Sequence, residues 1–313
     1  MKKNPYMIFG ILILAFIAIF VFIVGSSVIS LFSHDDEPVK VEAKNSILKM
    51  ELNGVILDSK KFVKTLNRYK KDNHIKAIVV GINSPGGVVG PSQEIYEELR
   101  RVRTETKKPV VADTNGLMAS GAMYAAVAAD KIVVAPGAMV GSIGVIMEFI
   151  NLEKLYDWAK VSRYSITTGK YKDSGAEYRS MRDDEKALFQ DLVNEVYGQF
   201  VSAVAQGRNL KEEMVREFAD GRVFTGSIAV KLGFADEVGT ISDAYRLAAK
   251  MAGLDPEKYE IFEIPKHRPS IMDFISAQQE EDDATTKVDK VVNSLLRTEL
   301  ANKPLYLLPG YYR

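Results

Sequence analysis

At 313 residues the chain is long enough to bury a sizeable core, as one large domain or two small ones. Its 41 acidic and 41 basic residues balance, so no global field points to a nucleic acid or to an acidic partner. Cysteine is absent, which excludes disulfides, thiol catalysis and cysteine-based metal sites and suits an exported protein.

Residues 7–25 (MIFGILILAFIAIFVFIVG) carry no polar side chain. As a helix rising about 1.5 Å per residue, this run spans the roughly 30 Å hydrocarbon core of a bilayer. Lys2 and Lys3 precede it, and His34, Asp35, Asp36 and Glu37 follow, so the positive-inside bias places the N-terminus in the cytoplasm and the rest outside. The run is long and lacks a clean A-x-A site, which favours an uncleaved single-pass anchor in the cell membrane over a signal peptide. Residues 1–32 are therefore expected to be a cytoplasmic stub and transmembrane anchor, and polar residues 33–45 a linker. Residues 46–265 are expected to form the soluble domain. Residues 266–313 then form a C-terminal extension, expected against a neighbouring subunit or an active-site groove.

Within the soluble part, residues 46–57 read as one or two strands, and residues 59–72 as a helix with Phe62, Leu66 and Tyr69 on one face. Residues 75–82 (IKAIVVGI) have the β-branched, apolar character of a strand buried on both faces. A glycine-rich turn and a helix over 91–106 follow, then a strand over 108–114, an Ala-rich helix over 121–129 and a strand over 131–135. Strands are further expected over 142–148 and 162–168, with a helix over 152–160 between them. This alternation predicts an α/β fold of repeated crossover units. Residues 183–206 form a long amphipathic helix, its stripe of Leu188, Leu192, Val196 and Phe200 assigned to core or subunit interface. Residues 221–239 hold a turn, a short helix and a second turn, and residues 241–253 a helix. In the tail, residues 286–300 are helix-compatible. Residues 303–313 (KPLYLLPGYYR) are apolar and extended, resembling a substrate, so a self-inhibitory or self-processed tail is one reading of them.

The stretch Met118-Ala119-Ser120-Gly121-Ala122-Met123-Tyr124 places a serine among small residues at a strand-to-helix turn, where its hydroxyl stands exposed with a helix N-terminus behind it. A nucleophilic serine needs a base and an oxyanion site. None of His34, His74 and His267 is placed as that base. A desolvated lysine can serve instead if its pKa falls by about 3 units, a cost of about 4 kcal/mol. Lys172, just past a predicted strand in TTGKYKDSG, is a candidate that spacing alone does not single out. The turn Asn83-Ser84-Pro85-Gly86-Gly87 lets backbone N–H groups approach a ligand after a buried strand. Ser142 in VGSIG offers a second hydroxyl that could hold the lysine.

Taken together and in order, NSPGG, A-S-G with a Tyr three residues after the Gly, GSIGV, GKYKD and FTGSIAVKLGFADEVG resemble the signal peptide peptidase A (SppA) family over residues 48–253. The resemblance implies a membrane-anchored serine endopeptidase of the ClpP/crotonase-like fold, of β-β-α crossover units, working without a cofactor. By matching motifs, Ser120 would be the nucleophile, Lys172 the general base and Ser142 the hydroxyl orienting it, with Gly87 and Gly121 forming the oxyanion hole. Substrates would be remnant signal peptides and other apolar peptides. The family's half-length members look like homo-oligomeric rings whose Ser and Lys come from adjacent subunits. An inactive membrane-tethered peptide-binding ring and a related Ser/Lys protease acting on a specific membrane partner are the alternatives. Two departures from the pattern, Gly121-Ala122 where the family commonly has Gly-Gly and Ala176-Glu177 where it commonly has Ser-Pro, bear on substrate preference more than on the dyad.

Overall fold

The computed structural model describes residues 39–264 and 303–308. The expected anchor over 7–25, residues 33–38 of the linker, the tail helix over 286–300, His34 and His267 lie outside the described residues. Among the described residues no helix is long and apolar enough to cross a membrane.

The chain begins with β1 (Ser46–Asn53), α1 (Lys60–Tyr69), β2 (Ile75–Asn83), β3 (Gly86–Val88) and α2 (Val89–Arg101), which passes into a π-type turn, Val102–Thr106. It continues through β4 (Val110–Thr114), β5 (Leu117–Ala119), α3 (Gly121–Ala126), β6 (Lys131–Val134), β7 (Met139–Gly141) and α4 (Glu153–Ala159). The remainder is α5 (Asp183–Arg208), α6 (Glu212–Phe218), β8 (Val223–Thr225), α7 (Gly226–Lys231), β9 (Glu237–Val238), α8 (Ile241–Met251), β10 (Glu260–Glu263) and, in the tail, β11 (Leu305–Leu307).

Six strands form a parallel sheet in the order β10-β1-β2-β4-β6-β9. The strand pleat sorts its side chains between two cores. Ile78, Val80 and Ile82 of β2 face the larger core, beneath α2, α3 and α5, while Ala77 and Val79 face a smaller one closed by Ala244, Tyr245, Ala248 and Ala249 of α8. Both faces are covered, which is why β2 reads as an unbroken apolar run.

Short strands make a second layer. β2 leads to β3 and α2, β4 to β5 and α3, and β6 to β7: each unit gives a long strand to the main sheet and a short one above its C-terminal edge. β5, β7 and β8 pair with one another, and single bridges join Ser84 to Met118 and Ile56 to Gly87. This is the α/β arrangement of β-β-α units expected from the motifs.

Two expected strands do not form. Over 142–148 only Ile146 makes a bridge, because Gly141 at φ 110° and Ser142 at φ 51° turn the backbone out of the extended region. Residues 162–168 are irregular and exposed, with Tyr164 79% and Ile166 95% accessible, and no strand pairs with them.

Candidate active site

Ser120 stands where β5 ends and α3 begins, at φ 55° and ψ −117°. Its N–H donates to the Gly141 carbonyl at 2.7 Å, and its own carbonyl accepts from Tyr124 N–H at 2.9 Å, so both sides of the strained residue are tied to fixed structure. Helix α3 can lie this close to β3 because it opens on the small, buried residues Gly121 and Ala122. A Cβ on Gly121 would come 2.4 Å from Ser92 Oγ, and one on Gly87 would come 2.1 Å from the Ile56 carbonyl oxygen.

The turn before β3 is pinned by Ser84, whose buried hydroxyl accepts from Gly86 N–H at 3.1 Å and whose backbone bonds to Leu117 and Ala119. One edge of β3 bonds to Ile56. The other holds β11, antiparallel, with Tyr306 opposite Gly87. Val89 N–H donates to the Pro304 carbonyl at 3.4 Å and Leu308 N–H to the Pro85 carbonyl at 2.9 Å. By the alternation of an antiparallel ladder, Tyr306 and Gly87 between them form a hydrogen-bonded pair, with the Gly87 N–H facing the Tyr306 carbonyl. That carbonyl oxygen and Gly121 N lie 2.1 and 2.5 Å from the point where a Cβ of Gly86 would sit. Gly87 and Gly121, the two residues expected to make an oxyanion hole, are thus brought around one carbonyl oxygen.

Ser142, 4% exposed, lies in the same region and lines a cavity of about 520 Å³ together with Ile146, Tyr197, Gly221 and Leu307. Lys172 does not join it within the chain. It sits in an exposed turn where its backbone N–H donates to the Gly169 carbonyl at 3.4 Å, and its side chain has no hydrogen bond or ion pair among the described residues, whereas Ser120 is 1% exposed. His74, expected to lie apart from the site, bonds through Nδ1 to the Val41 carbonyl at 2.8 Å.

Sequence reasoning missed what holds the Lys172 turn. Arg179 donates to both oxygens of Glu185 at 2.9 and 2.6 Å and to Asp173 Oδ2 at 3.2 Å. The Lys170 ammonium meets Asp184 at 2.8 Å, and Arg182 donates to the Lys170 carbonyl at 2.8 Å. The Arg179 guanidinium holds the Glu185 carboxyl down at about 2, and Lys170 does the same for Asp184. Charged residues spread over 170–185 give no sequence periodicity by which this cluster could be found.

The comparisons with known proteins agree with the geometry. Residues 102–255 match the family model for peptidase family S49, and residues 47–140 match that for Clp protease. A Synechocystis sp. protein provisionally named protease slr0021 is 41% identical over 235 residues, covering 75% of this chain and 84% of that one. An Enterococcus faecium protein provisionally named signal peptide peptidase SppA is 30% identical, over 67% of this chain and 64% of that one. The Arabidopsis thaliana protein "Serine protease SPPA, chloroplastic" is 31% identical over 71% of this chain and 33% of its own length. With a parallel sheet of ClpP-like layout, a strained serine at a strand-to-helix turn and glycine N–H groups beside it, the chain belongs to peptidase family S49 and is a serine peptidase.

Proposed function

We propose that the protein is a membrane-anchored endopeptidase that hydrolyses remnant signal peptides and other apolar peptides outside the cytoplasm, with Ser120 as nucleophile and Lys172 of a neighbouring copy as general base. The observation that carries this reading is the placement of Ser120: a backbone-strained serine at the closed side of a groove that already holds an extended strand with one carbonyl oxygen among Gly87 and Gly121. In the reaction, the Lys172 amine accepts the Ser120 proton as Oγ attacks the substrate carbonyl. The developing oxyanion takes hydrogen bonds from Gly87 and Gly121, each worth roughly 2.7 to 4 kcal/mol in the transition state. The lysine then protonates the leaving amine, and water releases the acyl group. Ser142 orients the incoming ammonium from the wall of the cavity that it lines.

A neighbouring copy supplies what the single chain lacks. Burial desolvates a lysine, and only a desolvated lysine accepts a proton near neutral pH. The segment around Lys172 also carries a heavy apolar load on its surface, with Trp158 80% exposed beside Tyr164 and Ile166. Apolar exposure of that extent suits a face covered by another subunit. Residues 7–25 would tether the assembly to the membrane, close to where signal peptides are released. The relative named for signal peptide peptidase supports this substrate class.

Ser120→Ala and Lys172→Arg test the chemistry. Arginine keeps its proton, so both variants should lose at least about a thousandfold in cleavage of an apolar peptide. Labelling by a fluorophosphonate should be lost in Ser120→Ala, and turnover that survives either change refutes the assignment.

A further inference from the structure

Among the described residues, 160–182 form no helix or strand, so no ladder of backbone bonds fixes the Lys172 turn. One side chain takes that part. The Arg179 guanidinium has five N–H groups, and each has an acceptor. Nε donates to Asp173 Oδ2 at 3.2 Å; Nη1 donates to Glu185 Oε2 at 2.9 Å and to the Ser180 carbonyl at 3.2 Å; Nη2 donates to Glu185 Oε1 at 2.6 Å and to the Asp173 carbonyl at 3.1 Å. Asp173, the residue after Lys172, is thus held by its carboxylate and by its backbone together. An ammonium, with three donors radiating from one point, cannot reproduce this fork.

The far side of the fork is anchored in the fold. Glu185 is wholly buried in the first turn of α5, where it also accepts from the Arg182 N–H at 2.9 Å. A carboxylate is buried that deeply only when its charge is paired, and with the Arg179 guanidinium beside it the Glu185 carboxyl is held at about 2, so it stays ionised near neutrality. From Glu185 the helix rises roughly 22 Å to Phe200, whose ring lies in the main core 5.1 Å from that of Tyr124, four residues after Ser120. On its apolar side the turn is seated by Gly175, at φ 77°, where a Cβ would come 2.6 Å from the Phe149 ring; that ring packs on Phe189 of α5 at 4.6 Å. Both holds lead to α5. They act on the backbone next to Lys172 and leave its side chain, which has no hydrogen bond or ion pair among the described residues, free to reach outward.

We propose that Arg179 is a positioning residue for catalysis: anchored by Glu185, it holds the backbone beside Lys172 at a set place on α5, so that each copy delivers its lysine to a neighbour's Ser120 as part of a rigid body. The inference rests on Lys172 as the base and adds the residues that aim it. Proton transfer needs the amine within about 3 Å of the hydroxyl, and a displacement of about 1 Å costs about a hundredfold in rate. In this role Arg179 touches neither the substrate nor Ser120, so its loss lowers kcat and leaves KM in place.

The test measures kcat and KM for a synthetic apolar peptide with the full chain in mild detergent, alongside particle mass by light scattering. Arg179→Ala should assemble like the wild type, lose about a hundredfold in kcat and keep KM within about threefold. Guanidinium chloride at a sub-denaturing concentration should restore kcat at least about tenfold in Arg179→Ala by filling the vacated fork, and should not restore Lys172→Ala. Arg179→Lys should stay at least about tenfold below the wild type. Asp173→Ala, which removes one hold on the turn without touching buried Glu185, should lower kcat about tenfold. Wild-type kcat in assembled Arg179→Ala, with Lys172→Ala inactive, overturns the proposal and leaves the base assignment standing. A raised KM with kcat intact overturns it as well, since that places Arg179 at the substrate. If Arg179→Ala fails to assemble, an assembled Asp173→Ala enzyme with wild-type kcat overturns it. Turnover by Lys172→Ala removes the base assignment, and the proposal with it.

Discussion

A serine held at φ 55° and ψ −117° occupies backbone space that glycine enters freely, at a cost on the order of 1–3 kcal/mol for any other residue. The surroundings fix it there: Gly141 holds its N–H, Tyr124 its carbonyl, and neighbouring glycines leave room for the strand and helix to close around it. If the strained turn serves to present the proposed nucleophile, stability and activity are opposed at this residue. Ser120→Gly should raise stability to chemical denaturation by about 1 kcal/mol and abolish cleavage. A loss of stability in that variant would mean the backbone is not strained. At the same scale, the serine was legible from the small residues around it. Lys172 was legible only through the ordered motifs, since its side chain is exposed and has no hydrogen bond or ion pair among the described residues by which a local pattern could mark it.

Among the elements, those long enough to show a period were the readable ones. β2 stood out as a β-branched run, and α5 through its stripe, although the stripe divides: Phe200 is buried, whereas Leu188 and Leu192 stay exposed. Strands β3, β5, β7 and β8 have three residues each, too few for alternation to register, yet β3 forms one wall of the groove and β5 leads directly into Ser120. The substrate-like tail was readable from its composition, but its register against β3 was not, because register follows from hydrogen bonds that only the fold supplies.

One element carries a buried charge away from the groove. Asp113 on β4 is 4% exposed and its Oδ1 has no hydrogen-bond partner, nor has the hydroxyl of Tyr245 on α8. Burial pushes the Asp113 carboxyl up to about 6, only partly offset by Lys49. The folded state therefore holds a proton that the unfolded chain releases near 3.8. The stability this contributes is complete below that value and is lost as pH rises towards 6, an effect on the order of 3 kcal/mol. Asp113→Asn, neutral throughout, should gain stability relative to the wild type as pH rises from about 4 to about 7. Denaturant midpoints at both ends of that range measure this, and a difference that stays constant with pH contradicts it.

For the whole molecule, the decisive arrangement is the separation of the two groups proposed to be catalytic. Ser120 is enclosed beside the groove, and Lys172 stands exposed on a turn braced by Arg179, Glu185 and Asp173, within a segment rich in uncovered aromatic and aliphatic surface. A braced but exposed lysine suits a group delivered to another copy, and assembly would then switch the peptidase on by burying that lysine against a neighbour. The measurement that tests this most directly is complementation between two inactive variants. Ser120→Ala and Lys172→Ala, each inactive when produced alone, should regain activity when co-expressed and purified together, reaching about a quarter of the wild-type rate if subunits mix at random. Mixed assemblies that remain inactive would contradict a site shared between copies.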